Sequence, residues 1–253
     1  MSKPKLSIII PALNEEYYLP LLLESIKKQD FTDYEIIIAD GNSKDRTVQI
    51  AKNYKCKIVI GGSVAKGRNE GAKIAQGDLF LFIDADMFFS FSGFLSESIK
   101  EFEKRKLKIA GFSLCPIIDC FAFSNIPKSK RIDKNLYQIY NLWAKINQKI
   151  LPYTGGVILI KKEIHQKIDG FDEEIKLAED HNYARKAAKL GKFGFLSKFP
   201  ILFSSRRFES DGRLKTYSKY ILAEIYMSFW GPIKSDIFKY RFNHYHELTK
   251  KNK

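Results

Sequence analysis

Apolar residues in the first 90 positions come in short unbroken blocks: KLSIIIPALN, YEIIIAD, CKIVIGG and DLFLFIDAD. Blocks of this length, closed by Pro, Gly, Asn or Asp, predict strands buried on both faces. Pro11 ends the first of them. Between the blocks, NEEYYLPLLLESIKKQD, RTVQIAKNYK and VAKGRNEGAKIAQ show helical spacing. Leu19, Leu22, Leu23 and Ile26 share one face of the first helix, and Asn14 is its expected N-cap. Strands alternating with helices imply a parallel sheet covered on both faces.

The second half is less regular. KIAGFSLCPI reads as a strand. RIDKNLYQIYNLWAKINQKI reads as an amphipathic helix with Leu136, Ile139, Tyr140 and Trp143 on one stripe. TGGVILIKKEIHQKI gives a turn, a strand and a short helix. EDHNYARKAAKLG is a helix opened by two acids and closed by Gly191. FGFL and PILFSSRRF read as short strands, and from Leu214 the chain turns helical and aromatic. The expected fold is α/β, with a Rossmann-like, mostly parallel central sheet, helices on both faces and a helical, aromatic-rich C-terminal tail. The expected division is a main domain over 1–213 and a basic extension over 214–253.

The chain has 253 residues, 45% of them apolar, enough for a large core and against global disorder. No run of about 20 apolar residues exists, so no membrane-spanning helix is expected. The run before Pro11 is too short for a signal peptide, and the expected location is cytoplasmic, extending to the cytoplasmic face of the membrane. Cys56, Cys115 and Cys120 are odd in number and lack CxxC spacing, which points to reduced thiols. The formal net charge is +14. Residues 1–90 are balanced, with 12 basic and 12 acidic; 100–149 hold 11 against 4, and 206–253 hold 11 against 5. Such asymmetry suits either an anionic partner or a plain lysine-rich surface.

The block DLFLFIDAD drives a buried strand into Asp84 and Asp86, although an unpaired buried charge costs several kcal/mol. In an open parallel sheet, ligands bind beyond the carboxyl ends of the strands. The first strand delivers Pro11 to Glu15 there, the second Asp40 and the loop to Asp45, the fourth Asp84 and Asp86. Two carboxylates in D-x-D can share one hard divalent cation, with the remaining positions filled by water and phosphate. An isolated D-x-D is more often a strand end capped by acids.

Here the pattern is not isolated. The ordered set SIIIPALNEE, DGNSKDRT, AKGRNEGAKIAQGDLFLFIDAD, TGGVILIKKEIHQKIDGFDE and AEDHNYARKAAKLG resembles the family-2 glycosyltransferases of the GT-A fold, over roughly residues 5–200. The resemblance implies a sugar moved from a UDP- or GDP-linked donor to an acceptor hydroxyl, usually with inversion, with Mn2+ or Mg2+ as cofactor. It implies that Pro11, Ala12, Asn14 and Glu15 line the nucleotide pocket, and that Asp40 binds the base with Asp45 near it. Lys66 and Arg68 match basic residues that approach base, ribose or phosphate. Asp84 would face ribose or sugar hydroxyls, with Ala85 beside it. Asp86 would hold the metal, with Asp84 in reach of the same ion. Asp180 aligns with the acid that deprotonates the acceptor, while Glu179 orients acceptor hydroxyls or exchanges roles with it. Gly155 and Gly156, after Thr154, would let backbone approach donor or acceptor. Arg206 and Arg207 resemble residues that some members use near the diphosphate. Arg185 is expected to pair with Glu179 or Asp180, and His181 to be structural. The Gln-x-x-Arg-Trp of processive members is absent, against a polysaccharide synthase.

The acceptor is expected to be lipid-linked or a glycan. The tail carries Tyr217, Tyr220, Tyr226, Phe229, Trp230, Phe238, Tyr240 and Phe242 among lysines, suiting either packing on the main domain or contact with a membrane surface. Two rivals compete. A nucleotidyltransferase would need a basic, glycine-rich loop after the first strand, where PALNEEYY is acidic. A nucleic-acid-binding protein is suggested by charge alone, without a recognised motif, so no nucleic acid is expected.

Overall fold

A computed structural model of the chain describes residues 3–117 and 129–238; Cys120, Tyr240 and Phe242 lie outside the described residues. Among the described residues, eight strands form one sheet: β1 (Leu6–Ala12), β2 (Tyr34–Asp40), β3 (Lys57–Ile60), β4 (Leu79–Ile83), β5 (Met87–Phe89), β6 (Ile109–Pro116), β7 (Val157–Lys161) and β8 (Phe193–Phe203). Their order across it is β3-β2-β1-β4-β7-β6-β8-β5. β1 runs parallel to β2 and β4, and β2 to β3. β7 enters antiparallel between β4 and β6. β8 is parallel to β6, and β5 is antiparallel on β8. Parallel pairs keep the majority, as the α/β reading required.

The helices are α1 (Leu19–Lys27), α2 (Thr47–Asn53), α3 (Val64–Ile74), α4 (Phe94–Lys104), α5 (Arg131–Asn147), α6 (Lys162–Lys167), α7 (Glu179–Ala188), α8 (Arg206–Ser210) and α9 (Arg213–Trp230). The unbroken apolar run of β1 serves two cores. Leu6, Ile8 and Ile10 pack with Leu19, Leu22, Leu23 and Ile26 of α1. Ile9 faces the other way, with Ala65 and Ala72 of α3 and Tyr183, Ala184 and Ala187 of α7. α3 lies so close that a Cβ on Gly71 would come within 2.5 Å of Ile9 Cγ2. That approach places the start of α3 against the end of β1.

Three expectations are corrected. Asn14 does not cap α1; it sits in the left-handed region at φ 53°, and the helix begins at Leu19 with Pro20 in its first turn. FGFL and PILF join into the single strand β8, with a register shift opposite Phe112 and Leu114. On α5, Leu136, Ile139 and Trp143 of the expected stripe are exposed, Tyr140 packs on the core, and Asp133 and Ala144 are buried. A polar contact decides this. β7 pairs with β6 only as far as Gly111, and Asn141 takes over the open edge. Its Oδ1 accepts from Leu114 N–H (3.0 Å) and its Nδ2 donates to Leu114 O (2.8 Å). Backbone groups left without partners cost more than an exposed isoleucine.

α9 packs inward through Ala223 and Met227, which meet Leu177 and Ile233. Lys176 N–H donates to Ile233 O (2.8 Å), tying the chain after α9 to the segment that leads into α7. Among the described residues no helix is long and apolar enough to cross a membrane. Cys56 and Cys115 are free thiols.

Candidate active site

The ends of β1 and β2 are laced together by their loops. Asn14 N–H donates to Ser43 Oγ (2.9 Å), and Lys44 N–H to Asn14 Oδ1 (2.7 Å). Asp40 accepts from the N–H groups of Asn42 and Ser43, both at 3.1 Å. Asp45, expected near the base, organises this loop: its carboxylate accepts from Glu16 N–H (3.0 Å) and Thr47 N–H (2.9 Å). Lys66 is exposed at the rim.

Two arginines answer the question of how the acids after β4 are tolerated. Arg68, expected beside the nucleotide, is buried beneath the site. Its Nη1 donates to Glu179 Oε1 and its Nη2 to Asp84 Oδ1, both at 2.8 Å. Arg206 joins Glu15 to Asp86. Its two Nη groups donate to the Glu15 carboxylate (2.5 and 2.9 Å), its Nε to Asp86 Oδ2 (3.1 Å), and its Cζ lies 4.5 Å from the Tyr18 ring centre. Charge-assisted forks of this kind are the strong form of the arginine–carboxylate bond. Burial still raises the Asp84 carboxyl to about 6, although Arg68 pulls the other way. Burial likewise raises Glu15 and Glu179 against their arginines. The Asp84 side chain keeps 34% of its surface exposed, so it also faces the cleft. Gly156 sits at φ 80°, and a Cβ there would overlap Asp84 Oδ2.

Removing Arg68 would strand the buried Glu179 and the part-buried Asp84. Arg68→Met is expected to lower stability by about 3 kcal/mol, read from the urea midpoint at unchanged m-value. A midpoint equal to that of the parent would contradict the counter-ion role.

Asp180 completes the cleft. Its Oδ2 accepts from Thr154 Oγ1 (3.1 Å) and Gly156 N–H (3.0 Å). His181, expected to be structural only, lies against it, with Nε2 3.9 Å from Asp180 Oδ2. His181 Nε2 donates to Thr154 O (2.5 Å), and Nδ1 is bonded to Glu224 Oε1 on α9. A carbonyl and a carboxylate both accept, so both ring nitrogens carry protons. Burial alone would depress the imidazole, but Asp180 and Glu224 carry it up to about 9. Arg185 pairs with Glu224 Oε2 (2.9 Å), not with Glu179 or Asp180 as expected. Arg207 reaches Tyr220 on α9 (3.0 Å), while Arg206 contacts Glu15 and Asp86.

The His181 proton has a thermodynamic consequence. Between the unfolded value near 6.5 and about 9, the native state holds a proton that the unfolded chain has lost. Stability is therefore expected to be fully present below pH 6.5 and to fall as pH rises to about 9, by about 1–3 kcal/mol. The fall should shrink in Glu224→Gln. Equal slopes for both proteins, from urea unfolding at several pH values, would contradict it.

Arg206 thus joins Glu15 to Asp86, Arg68 joins Asp84 to Glu179, and Gly156, which lies against Asp84, holds Asp180. Sequence reasoning missed Glu224, Tyr18 and the role of His181. Glu224 and Tyr18 carry no local motif, and only the packing of α9 beside α7 brings Glu224 in.

Residues 7–169 match the model of glycosyl transferase family 2. Over 92 residues the chain is 38% identical to poly(ribitol-phosphate) beta-N-acetylglucosaminyltransferase TarS of Staphylococcus aureus, a stretch covering 32% of this chain and 16% of that protein. It is 35% identical over 92 residues to GalNAc(5)-diNAcBac-PP-undecaprenol beta-1,3-glucosyltransferase of Campylobacter jejuni, covering 33% of this chain and 30% of the other. The solved structure of TarS 1–349 in complex with UDP superposes with a TM-score of 0.62 at 23% identity, over 89% of this chain and 72% of that one. A mannosyltransferase of Pyrobaculum calidifontis, solved in complex with GDP-Man and Mn2+, gives 0.66 at 16% identity, over 90% and 64%. At such identities the superpositions establish a shared fold, and that fold is the one the resemblance implied.

Proposed function

Because the chain belongs to glycosyl transferase family 2, we propose that it transfers a sugar from a nucleotide-diphosphate sugar to an acceptor hydroxyl, with inversion. One observation carries the reading: Arg68 joins Asp84, after β4, to Glu179, which opens α7, while Arg206 joins Asp86 to Glu15 beyond the end of β1. Pro11, Ala12, Asn14 and Asp40 form the nucleotide end, and Asp45 holds its loop in shape. Thr154 and Gly156 fix Asp180 through Oδ2, leaving Oδ1 for the acceptor proton. As that proton moves to Asp180, the acceptor oxygen bonds to the anomeric carbon. The bond from that carbon to the diphosphate oxygen breaks, and the nucleoside diphosphate leaves with the electron pair. Glu179, tied to Arg68, orients acceptor hydroxyls.

Among the described residues no cluster of three His, Cys, Asp or Glu side chains is set for a metal. The donor set still fits Mg2+ or Mn2+, which take one or two carboxylates and complete their shell with phosphate and water. Asp86 and Asp84 would hold the ion, and it would neutralise charge on the departing diphosphate. Arg206, beside Asp86, stands where it would meet the same phosphates. The Mn2+ named with the Pyrobaculum enzyme supports the metal, and the UDP named with TarS supports a uridine donor. The undecaprenol-linked acceptor named for the Campylobacter relative supports a lipid-linked one.

The test is slow donor hydrolysis. UDP- and GDP-sugars are incubated with the full chain and Mn2+, and released nucleoside diphosphate is measured. One nucleotide class should be cleaved, and EDTA should stop it. No cleavage of any donor, with no thermal stabilisation by UDP or GDP, would overturn the reading.

A further inference from the structure

α5 and α9 share a feature that the transferase site does not use. On α5, Ile139, Leu142 and Ile146 are 65%, 60% and 70% exposed; on α9, Ile221, Phe229 and Trp230 are 61%, 77% and 70% exposed. The α5 residues recur at helical spacing and form one stripe. The two helices meet at their starts, where Asp133 accepts from Arg213 Nε (3.0 Å) and Tyr217 OH (3.2 Å). An apolar surface of this extent marks an interaction site.

Charge identifies the occupant. Each helix holds one acidic residue, and both are turned inward. Asp133 is fully buried against Arg213, and Glu224 is engaged with His181 and Arg185. The exposed charges of the two helices are therefore all cationic: Arg131, Lys134 and Lys145 on α5 and Lys215 on α9. Large apolar side chains interleaved with cations, without an anion, complement an anionic lipid surface. A second copy of this chain would set lysine against lysine. Neither helix is long and apolar enough to cross a bilayer.

We propose that the outer faces of α5 and α9 dock the protein flat on an anionic lipid bilayer. Glu224, on the inner side of α9, holds His181 beside Asp180, so the helix that carries the docked outer face also borders the acceptor end of the site. This deepens the lipid-linked acceptor reading, but vesicle binding needs no catalysis, so its failure would leave the transferase reading intact.

The test is co-sedimentation of the full chain with phosphatidylcholine vesicles, with and without phosphatidylglycerol. Partitioning should be about tenfold stronger on the anionic vesicles and should weaken with salt. Ile139→Asp with Ile146→Asp should lower it about tenfold on both vesicle types, with the unfolding midpoint unchanged because both side chains are exposed. Lys134→Glu with Lys145→Glu should lower it about tenfold on the anionic vesicles alone. Failure of the parent chain to bind anionic vesicles, or equal binding by parent and variants, would overturn the proposal. So would a lipid-free dimer, or a complex with an acidic protein, that the paired isoleucine variant abolishes while vesicle binding persists.

Discussion

Asp180→Asn is expected to lower kcat by about 10³-fold while donor affinity stays within about twofold. The amide keeps the size of the carboxylate, and its oxygen can still accept from Thr154 and Gly156 N–H. What it loses is a basic oxygen for the acceptor proton. The unfolding midpoint near neutral pH should fall only modestly: neither hydrogen bond need break, but the His181 imidazolium loses the neighbouring Asp180 charge. Glu179→Gln separates the two acids. Glu179 already gives Oε1 to Arg68, so it is the poorer base and the better positioning group. Its loss should raise KM for the acceptor more than it lowers kcat. Full turnover by Asp180→Asn, with collapse in Glu179→Gln, would exchange their roles.

Asp86→Ala should lower kcat/KM by about 10³-fold and abolish the response to added Mn2+. Asp86 and Asp84 differ in what holds them. Asp84 is tied to the buried Arg68, so its removal would disturb the fold and the site together. Asp86 shares Arg206 with Glu15, and Arg206 keeps its fork to Glu15 when Asp86 is gone. The variant should therefore fold, and its deficit should report the site alone. Activity in Asp86→Ala that still saturates with Mn2+ as in the parent would place the ion elsewhere.

The parallel half of the fold was legible because β1, β2 and β4 are buried on both faces, and an unbroken apolar run has few other uses. The acids at their ends were legible for the same reason: Asp84 and Asp86 contradict the strand that carries them. Four features escaped. α4 lies in a stretch that drew no helix assignment. The outward face of α5 was hidden because periodicity shows which residues share a side, not which side is turned in. Asn141, bonding the open edge of β6, settled that by a contact between distant segments. Arg68 looked like a ligand of base, ribose or phosphate because its motif is shared; only the packing of α3 on β1 shows it buried against the acids. His181 was misjudged because its partner, Glu224, lies 43 residues along the chain. Such partnerships arise from tertiary packing and leave no mark on local pattern.

The proposed transfer requires a divalent ion and a diphosphate to meet at the acids after β4. Anomalous scattering from crystals of the full chain grown with Mn2+ and UDP or GDP tests this most directly. The result expected is a manganese peak on the carboxylates of Asp86 and Asp84, touching the diphosphate, with the nucleotide base toward Asp40. A bound nucleotide with no manganese at those carboxylates, or one lying away from β1, β2 and β4, would contradict it.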